Sequence, residues 1–278
     1  MAITVNTNVP SLTAQHSLNA ATNKMNTAME RMSTGSRINS SKDDAAGMAV
    51  SNKLDYKTSS LAVAQDNAQM GASLLDTMEG VMGVINDNLA RIRDLTEQAA
   101  NGTYGSDAMA AIKTEVNARL KEIDRVANTA EFNGKKILDG TLSKDGIKLQ
   151  VGINGDENSY IHLDSTVFQN STKAGLGLSD VAWTSDADAR SFLATVDSAI
   201  AKITDATTAI GGKQAAITSA TESAQVMATN LTSASSLIKD ADIAEESSNY
   251  IKQQILQQTS ASLLATANQS PSIALNLV

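Results

Sequence analysis

The chain has 278 residues, 42% of them hydrophobic but only 3% aromatic, so any core is built from Ala, Leu, Ile, Val and Met. With 22 basic against 30 acidic residues the net charge is −8, and no helix carries a Lys/Arg cluster, which disfavours nucleic-acid binding. Cysteine is absent, excluding disulfide scaffolds and thiolate metal sites, and no apolar run approaches the ~20 residues that insert into a membrane.

Residues 1–33 carry the seven-residue period Ala14, Leu18, Ala21, Met25, Ala28 and Met32. Half of these are alanine, whose burial contributes far less than the ~1.5–3 kcal/mol of a buried Leu or Met. This helix is therefore expected to be marginal alone and to gain order against partners. Residues 34–45 are a polar linker, STGSRINSSKDD being the stretch from Ser33 to Asp44, in which Ser41 and Asp44 have the spacing of a capping box.

A helix is expected over 46–100. From Leu61 it reads Ala64, Ala68, Gly71, Leu75, Met78, Met82, Ile85, Leu89, Ile92, Thr96 and Ala99, an unbroken alternation of three and four. Because 3.5 falls short of 3.6 residues per turn, such a stripe winds left-handedly around a partner rod. Gly71, Lys57 and Lys213 interrupt the stripes, either as tolerated imperfections or as devices that set register. Asn101-Gly102 is expected to close the helix with a left-handed glycine. A third helix over 106–130, capped by Ser106 or Asp107, presents Ile112, Val116, Leu120 and Ile123 and stops near Asn133-Gly134. The short connection makes it an antiparallel neighbour.

Between 135 and 168 the period changes to two: Ile147, Leu149, Val151 and Ile153, then Ile161 and Leu163, with Gly155-Asp156 between the runs. That pattern predicts a β-hairpin. Residues 169–186 read as a loop. The helix over 188–238, capped by Ser185 and Asp188, repeats the heptad through Val196, Ala199, Ile203, Ala206, Ile210, Ile217 and Ala224, so it is the partner rod. A linker over 239–244 leads to a final helix, capped by Asp242 and Glu245, that carries Ile251, Ile255, Leu256, Leu263, Leu264 and Ala267. Residues 1–33 and 245–278 are expected to pair as one discontinuous domain, and 46–238 to form another. The predicted fold is mostly α, an elongated antiparallel coiled-coil bundle with a small β-hairpin region.

No constellation for catalysis emerges. His16 and His162 lie far apart, and Asp43-Asp44 and Glu245-Glu246 sit at helix starts, where the macrodipole favours negative charge. No phosphate-cradling loop appears, so the chain reads as no enzyme, without cofactor or metal.

The segments MAITVNTNVPSL, ERMSTGSRINSSKDDAAGMAVSNKL (30–54), LARIRDLTEQAANGT (89–103), EVNARLKEIDRVANTAEFNGKKIL (115–138) and QILQQTSASLLATANQSP (254–271) closely resemble bacterial flagellin, in a short form with little or no variable outer domain. The resemblance implies a subunit that assembles with copies of itself into the extracellular filament of the flagellum for motility. It also implies type III export without a cleaved signal peptide, an export chaperone on the carboxy-terminal segment, and hook-junction and cap proteins as further partners. Matching motifs residue by residue gives Arg91, Leu95 and Glu115 as contacts of a host Toll-like receptor. It likewise assigns filament assembly to Leu18, Met25, Met32, Arg37, Asp43, Ile251, Ile255, Leu256, Leu263 and Leu264. The alternatives are a hook-filament junction protein, which shares the terminal plan, and a cytoplasmic signalling coiled coil, which shares the matched rods.

Overall fold

The computed structural model describes residues 7–275, with side chains to residue 269. It is mostly helical. In order the elements are α1 (Val9–Thr34), α2 (Ala45–Ala99), α3 (Ser106–Thr129), β1 (Glu131–Phe132), β2 (Lys135–Lys136), β3 (Ile147–Gln150), β4 (Tyr160–Leu163), α4 (Lys173–Leu176), α5 (Asp186–Lys239) and α6 (Ile243–Leu275). The chain divides into two compact units, Met1–Thr58 with Thr229–Val278 and Ser59–Ala228, called the terminal and central units below.

In the central unit the heptad stripes meet as expected. Leu75, Met78, Met82, Ile85, Leu89 and Ile92 of α2 are completely buried, with Val196, Ala199 and Ile210 of α5 and Val116, Leu120 and Ile123 of α3. Polar pairs along the margin fix the direction. Gln65 Nε2 donates to Gln225, Gln214 Nε2 donates to Asp76 at 2.8 Å, and Arg93 Nε donates to Asp197 at 2.8 Å. Partner numbers rise on α2 as they fall on α5, so the rods are antiparallel. Met227, three residues beyond Ala224 and so next in the same alternation, is 46% exposed, and the α5 stripe buries no large residue after Ile217 within this unit.

The caps differ from expectation in detail. Ser185 and Asp188 do form a reciprocal box, with Asp188 N–H donating to Ser185 Oγ and Ser185 N–H to Asp188 Oδ2. Neither Ser106 nor Asp107 caps α3, whose cap position is Gly105, without a side-chain bond. Gly102 is not left-handed, whereas Asn133 (φ 48°) and Gly134 (φ 76°) are. These two residues end no helix. They turn the two-residue hairpin β1–β2, a hairpin that EF-NG-KK signals in the sequence through its Asn-Gly pair.

β3 and β4 pair antiparallel, Ile147 opposite Leu163 and Gln150 opposite Tyr160. Val151 and Ile153, expected in the strand, fall in the connection. Leu149 lies so close to Gly71 that a methyl group there would collide with its side chain. Gly71 is thus the seat of the hairpin on α2, which neither reading of that interruption supplied. The segment 169–186 is likewise no free loop: Leu176, Leu178, Val181 and Trp183 are buried. Asn117 of α3 clamps it, accepting from Val181 N–H at 2.9 Å and donating to Val181 C=O at 3.1 Å, while Trp183 meets Phe192 edge-on at 5.5 Å.

Replacing Asn117 with alanine strands both backbone groups of buried Val181. The expected cost is about 1–3 kcal/mol, read as a lower melting temperature and a shift in fluorescence of Trp183, the single tryptophan of the chain.

Candidate assembly surfaces

The terminal unit is built differently. Among its described residues the buried hydrophobic side chains are Ala21, Ala28 and Ile38. α1 turns Ala14, Leu18, Ala21, Met25, Ala28 and Met32 inward, and Leu18, Met25 and Met32 are each half-buried. Gly35 (φ 70°) closes the helix, its N–H donating to Arg31 C=O. The side of α6 that meets α1 is Glu246, Tyr250, Gln253, Gln257, Ser260, Leu264 and Ala267, again at alternating four and three but mostly polar or small. Gln257 Nε2 donates to Thr22 Oγ1, Asn8 Nδ2 to Ala267 C=O at 2.7 Å, and Arg31 pairs with Glu246 at 2.9 Å.

Of the apolar residues expected on α6, Leu264 and Ala267 lie on this seam and the others do not. Leu264 faces α1, whereas Ile251 is 52% exposed, Ile255 56%, Leu256 43% and Leu263 58%. A helix perimeter carries one inward stripe per partner, and here that stripe is taken by glutamine, serine and alanine. The large aliphatic groups are left pointing away. Fully burying one such side chain contributes about 1.5–3 kcal/mol, so this face holds a substantial unused driving force.

The linkers fold against each other. Arg37 N–H donates to Lys239 C=O at 2.7 Å and Ala241 N–H to Gly35 C=O at 2.9 Å, forming an antiparallel bridge between Ser36 and Asp240. Arg37 Nη2 adds a bond to Ile238 C=O at 2.7 Å, which caps the end of α5 with a cation as the helix dipole favours. Asp43 accepts from the N–H groups of Asn39 and Ser40 and from Ser40 Oγ, closing the turn ahead of α2. The cap of α2 is Asp44, which accepts from Gly47 N–H at 2.9 Å, so Ser41 plays no part in a capping box. Nearby, Ser51 Oγ lies 3.3 Å from Ser235 Oγ, Ser235 donates to Asp55 at 2.8 Å, and Lys239 donates to Asp55 at 3.3 Å. No periodicity announced this polar chain, because serine in a heptad position reads as a weak core residue.

Two carboxylates of this region sit below their ordinary range. Hydrogen bonds from the Ser40 N–H and hydroxyl lower the pKa of Asp43, and the Ser235 hydroxyl, with Lys239, lowers that of Asp55. In the central unit, Arg91 donates to Glu115 at 3.1 Å on a partly exposed surface. Leu95 is only 2% exposed and belongs to the core, so it cannot offer a surface contact without local opening. His16 is exposed, and His162 stands beside the Asp145 carbonyl at 3.4 Å. Among the described residues no group of three or more His, Asp or Glu is arranged to hold a metal ion, and no helix is long and apolar enough to cross a membrane.

The central unit is well packed, whereas the terminal helices keep most of their largest described apolar groups outside. The model of the bacterial flagellin N-terminal helical region matches residues 5–143, and that of the C-terminal helical region residues 193–278. The chain belongs to the bacterial flagellin family. The flagellar filament 30.7 kDa core protein of Treponema maltophilum is 32% identical over 95% of both chains, and flagellin from Halalkalibacterium halodurans 34% over 99% of both. A solved Vibrio parahaemolyticus structure described as a flagellar hook-associated protein, 18% identical, covers 70% of this chain and 99% of its own at a TM-score of 0.56, a likeness of fold alone. The protein is thus a filament subunit of the extracellular flagellum and not an enzyme.

Because their folded pKa values are depressed, Asp43 and Asp55 stabilise the linker region above the ordinary carboxylate value, and that stabilisation is lost as pH falls through the folded values. Protection factors of the linker amides, each the intrinsic exchange rate at that pH divided by the observed rate, are expected to be high at neutral pH and to fall below about pH 4. In Asp43→Asn the part of this acid dependence due to Asp43 disappears, measured on the same amides.

Proposed function

We propose that the terminal unit is the assembly module, and that polymerisation buries the outer face of α6 (Ile251, Ile255, Leu256 and Leu263) against neighbouring subunits. The observation that carries this reading is the inverted arrangement of α6, with its polar stripe on α1 and its aliphatic groups in solvent. Leu18, Met25, Met32 and Leu264 hold the pair α1–α6 together, while Arg37 and Asp43 keep the linkers in the conformation that neighbours meet. Before polymerisation the same aliphatic face is the natural ligand of an export chaperone, since both occupants satisfy one hydrophobic requirement. Hook-junction and cap proteins are proposed to engage the terminal helices in the same way, as end-contacts of the polymer.

The test is growth from short filament seeds. The full chain is expected to extend them into long tubes. A variant lacking 245–278, and Ile255→Asp in the full chain, are expected to leave seeds unextended while the central unit keeps its helicity and melting temperature. Extension by Ile255→Asp at the parental rate would remove α6 from the interface.

For the host receptor, the Arg91–Glu115 pair is the proposed recognition feature, with Leu95 supporting Arg91 from beneath. Arg91→Ala and Glu115→Ala are each expected to weaken receptor activation about tenfold without loss of fold. Leu95→Ala is expected to lower stability by about 2–5 kcal/mol, so its effect on activation accompanies a lower melting temperature.

A further inference from the structure

The central unit contains three Asn-Gly pairs, Asn101-Gly102, Asn133-Gly134 and Asn154-Gly155. In such a pair no side chain shields the glycine nitrogen from the asparagine carboxamide, so the nitrogen can attack Cγ and close a cyclic imide. Ring closure needs a mobile carboxamide and a backbone free to rotate about the asparagine ψ.

The structure treats the three pairs differently. At Asn101 the Thr103 N–H and Oγ1 donate to Oδ1 at 3.2 and 3.1 Å, which holds the side chain in a fixed turn. Asn133, left-handed at φ 48°, turns the hairpin between the paired residues Phe132 and Lys135, so rotation there would break the β1–β2 pairing. Asn154 and Gly155 are exposed in the connection from β3 to β4. The Asn154 carboxamide has no hydrogen bond among the described residues, and a side chain at Gly155 would meet open space. The main-chain carbonyl of Asn154 does have a partner: Gln150 Nε2 donates to it and to Gly152 C=O, at 2.7 Å each. A donor on that carbonyl withdraws electron density from the Asn154–Gly155 peptide group, which eases loss of the Gly155 N–H proton to hydroxide.

We propose that Asn154 is a site of spontaneous deamidation, with water as the co-reactant and Gln150 as a positioning residue. The Gly155 nitrogen bonds to Asn154 Cγ, the bond from Cγ to Nδ2 breaks, and Nδ2 leaves as ammonia, carrying the proton given up by Gly155. Water then adds to the imide and breaks one of its C–N bonds. Opening at Cγ leaves aspartate in a normal backbone, whereas opening at the main-chain carbonyl carbon leaves isoaspartate, with the chain running through Cβ and Cγ. Nothing is oxidised or reduced. Either product adds a carboxylate near Asp156 and Glu157, and the second also inserts a methylene into a connection closed by bonds from Val151 and Gly152 N–H to Ser159 C=O. The change needs no enzyme, so it accumulates with the age of the subunit.

The test keeps the full chain in warm, mildly alkaline heavy-oxygen water and maps its peptides by mass spectrometry, so that only conversions made during the incubation carry label. Conversion at Asn154, to isoaspartate as well as aspartate, is expected at least about tenfold faster than at Asn101 or Asn133. In urea, which removes the turn and the hairpin, the three rates are expected to come within about threefold of one another. Gly155→Ala is expected to slow conversion at least about tenfold with an unchanged melting temperature, and Gln150→Met, which lacks the donor, to slow it about threefold. Equal rates at the three pairs in the folded chain, the same ranking in urea, or a parental rate in Gly155→Ala would overturn the site. Aspartate without isoaspartate would overturn the imide route, and unchanged or faster conversion in Gln150→Met would overturn the role of Gln150.

Discussion

The seam between α1 and α6 sets the alanines and half-buried Leu18, Met25 and Met32 of α1 against a stripe of α6 that is mostly polar or small, with one ion pair, and the behaviour of the terminal unit depends on that choice. A helix offers one stripe to one partner. Because α6 gives α1 its small and polar stripe, Ile251, Ile255, Leu256 and Leu263 remain outside, and the pair gains little from its own contact. Hydrogen bonds such as Gln257 to Thr22 and Asn8 to Ala267 set register more than they add stability, since each replaces bonds to water. The consequence is a pair of helices aligned in one subunit but incompletely satisfied there.

The central unit follows the opposite economy. Its stripes are continuous, its large aliphatic groups are fully buried, and the segments between helices are fastened at particular points: Leu149 over Gly71, Asn117 around Val181, Trp183 against Phe192. Copies that must remain separate need exposed apolar groups spread along a narrow helix face, and copies that polymerise gain from many such contacts made together.

The linkers show how local chemistry holds a bend without a core. Two backbone bonds join the linkers, and charge-assisted hydrogen bonds add to them, from the Arg37 guanidinium to the Ile238 carbonyl and from the Asn39 and Ser40 N–H groups to the Asp43 carboxylate that closes a turn. Of these, the Asp43 carboxylate responds to pH, where packed aliphatic groups do not.

Periodicity alone determined the helices, the antiparallel rods, the β3–β4 hairpin and the Ser185–Asp188 cap, because each depends on residues near in sequence or on a stripe repeated over many turns. The flagellin-like motifs at both ends gave the family for the same reason: they are local strings. Which face of α6 meets α1 was decided by tertiary structure. The hydrophobic period pointed to Ile251, Ile255 and Leu256, while the actual seam is a weaker polar period that matters only when opposed to the alanines of α1. The burial of Leu95, the seat at Gly71 and the bridge between Ser36 and Asp240 likewise join residues whose spacing carries no signal. They were invisible in the sequence because a contact across distant segments depends on how packed elements fill space.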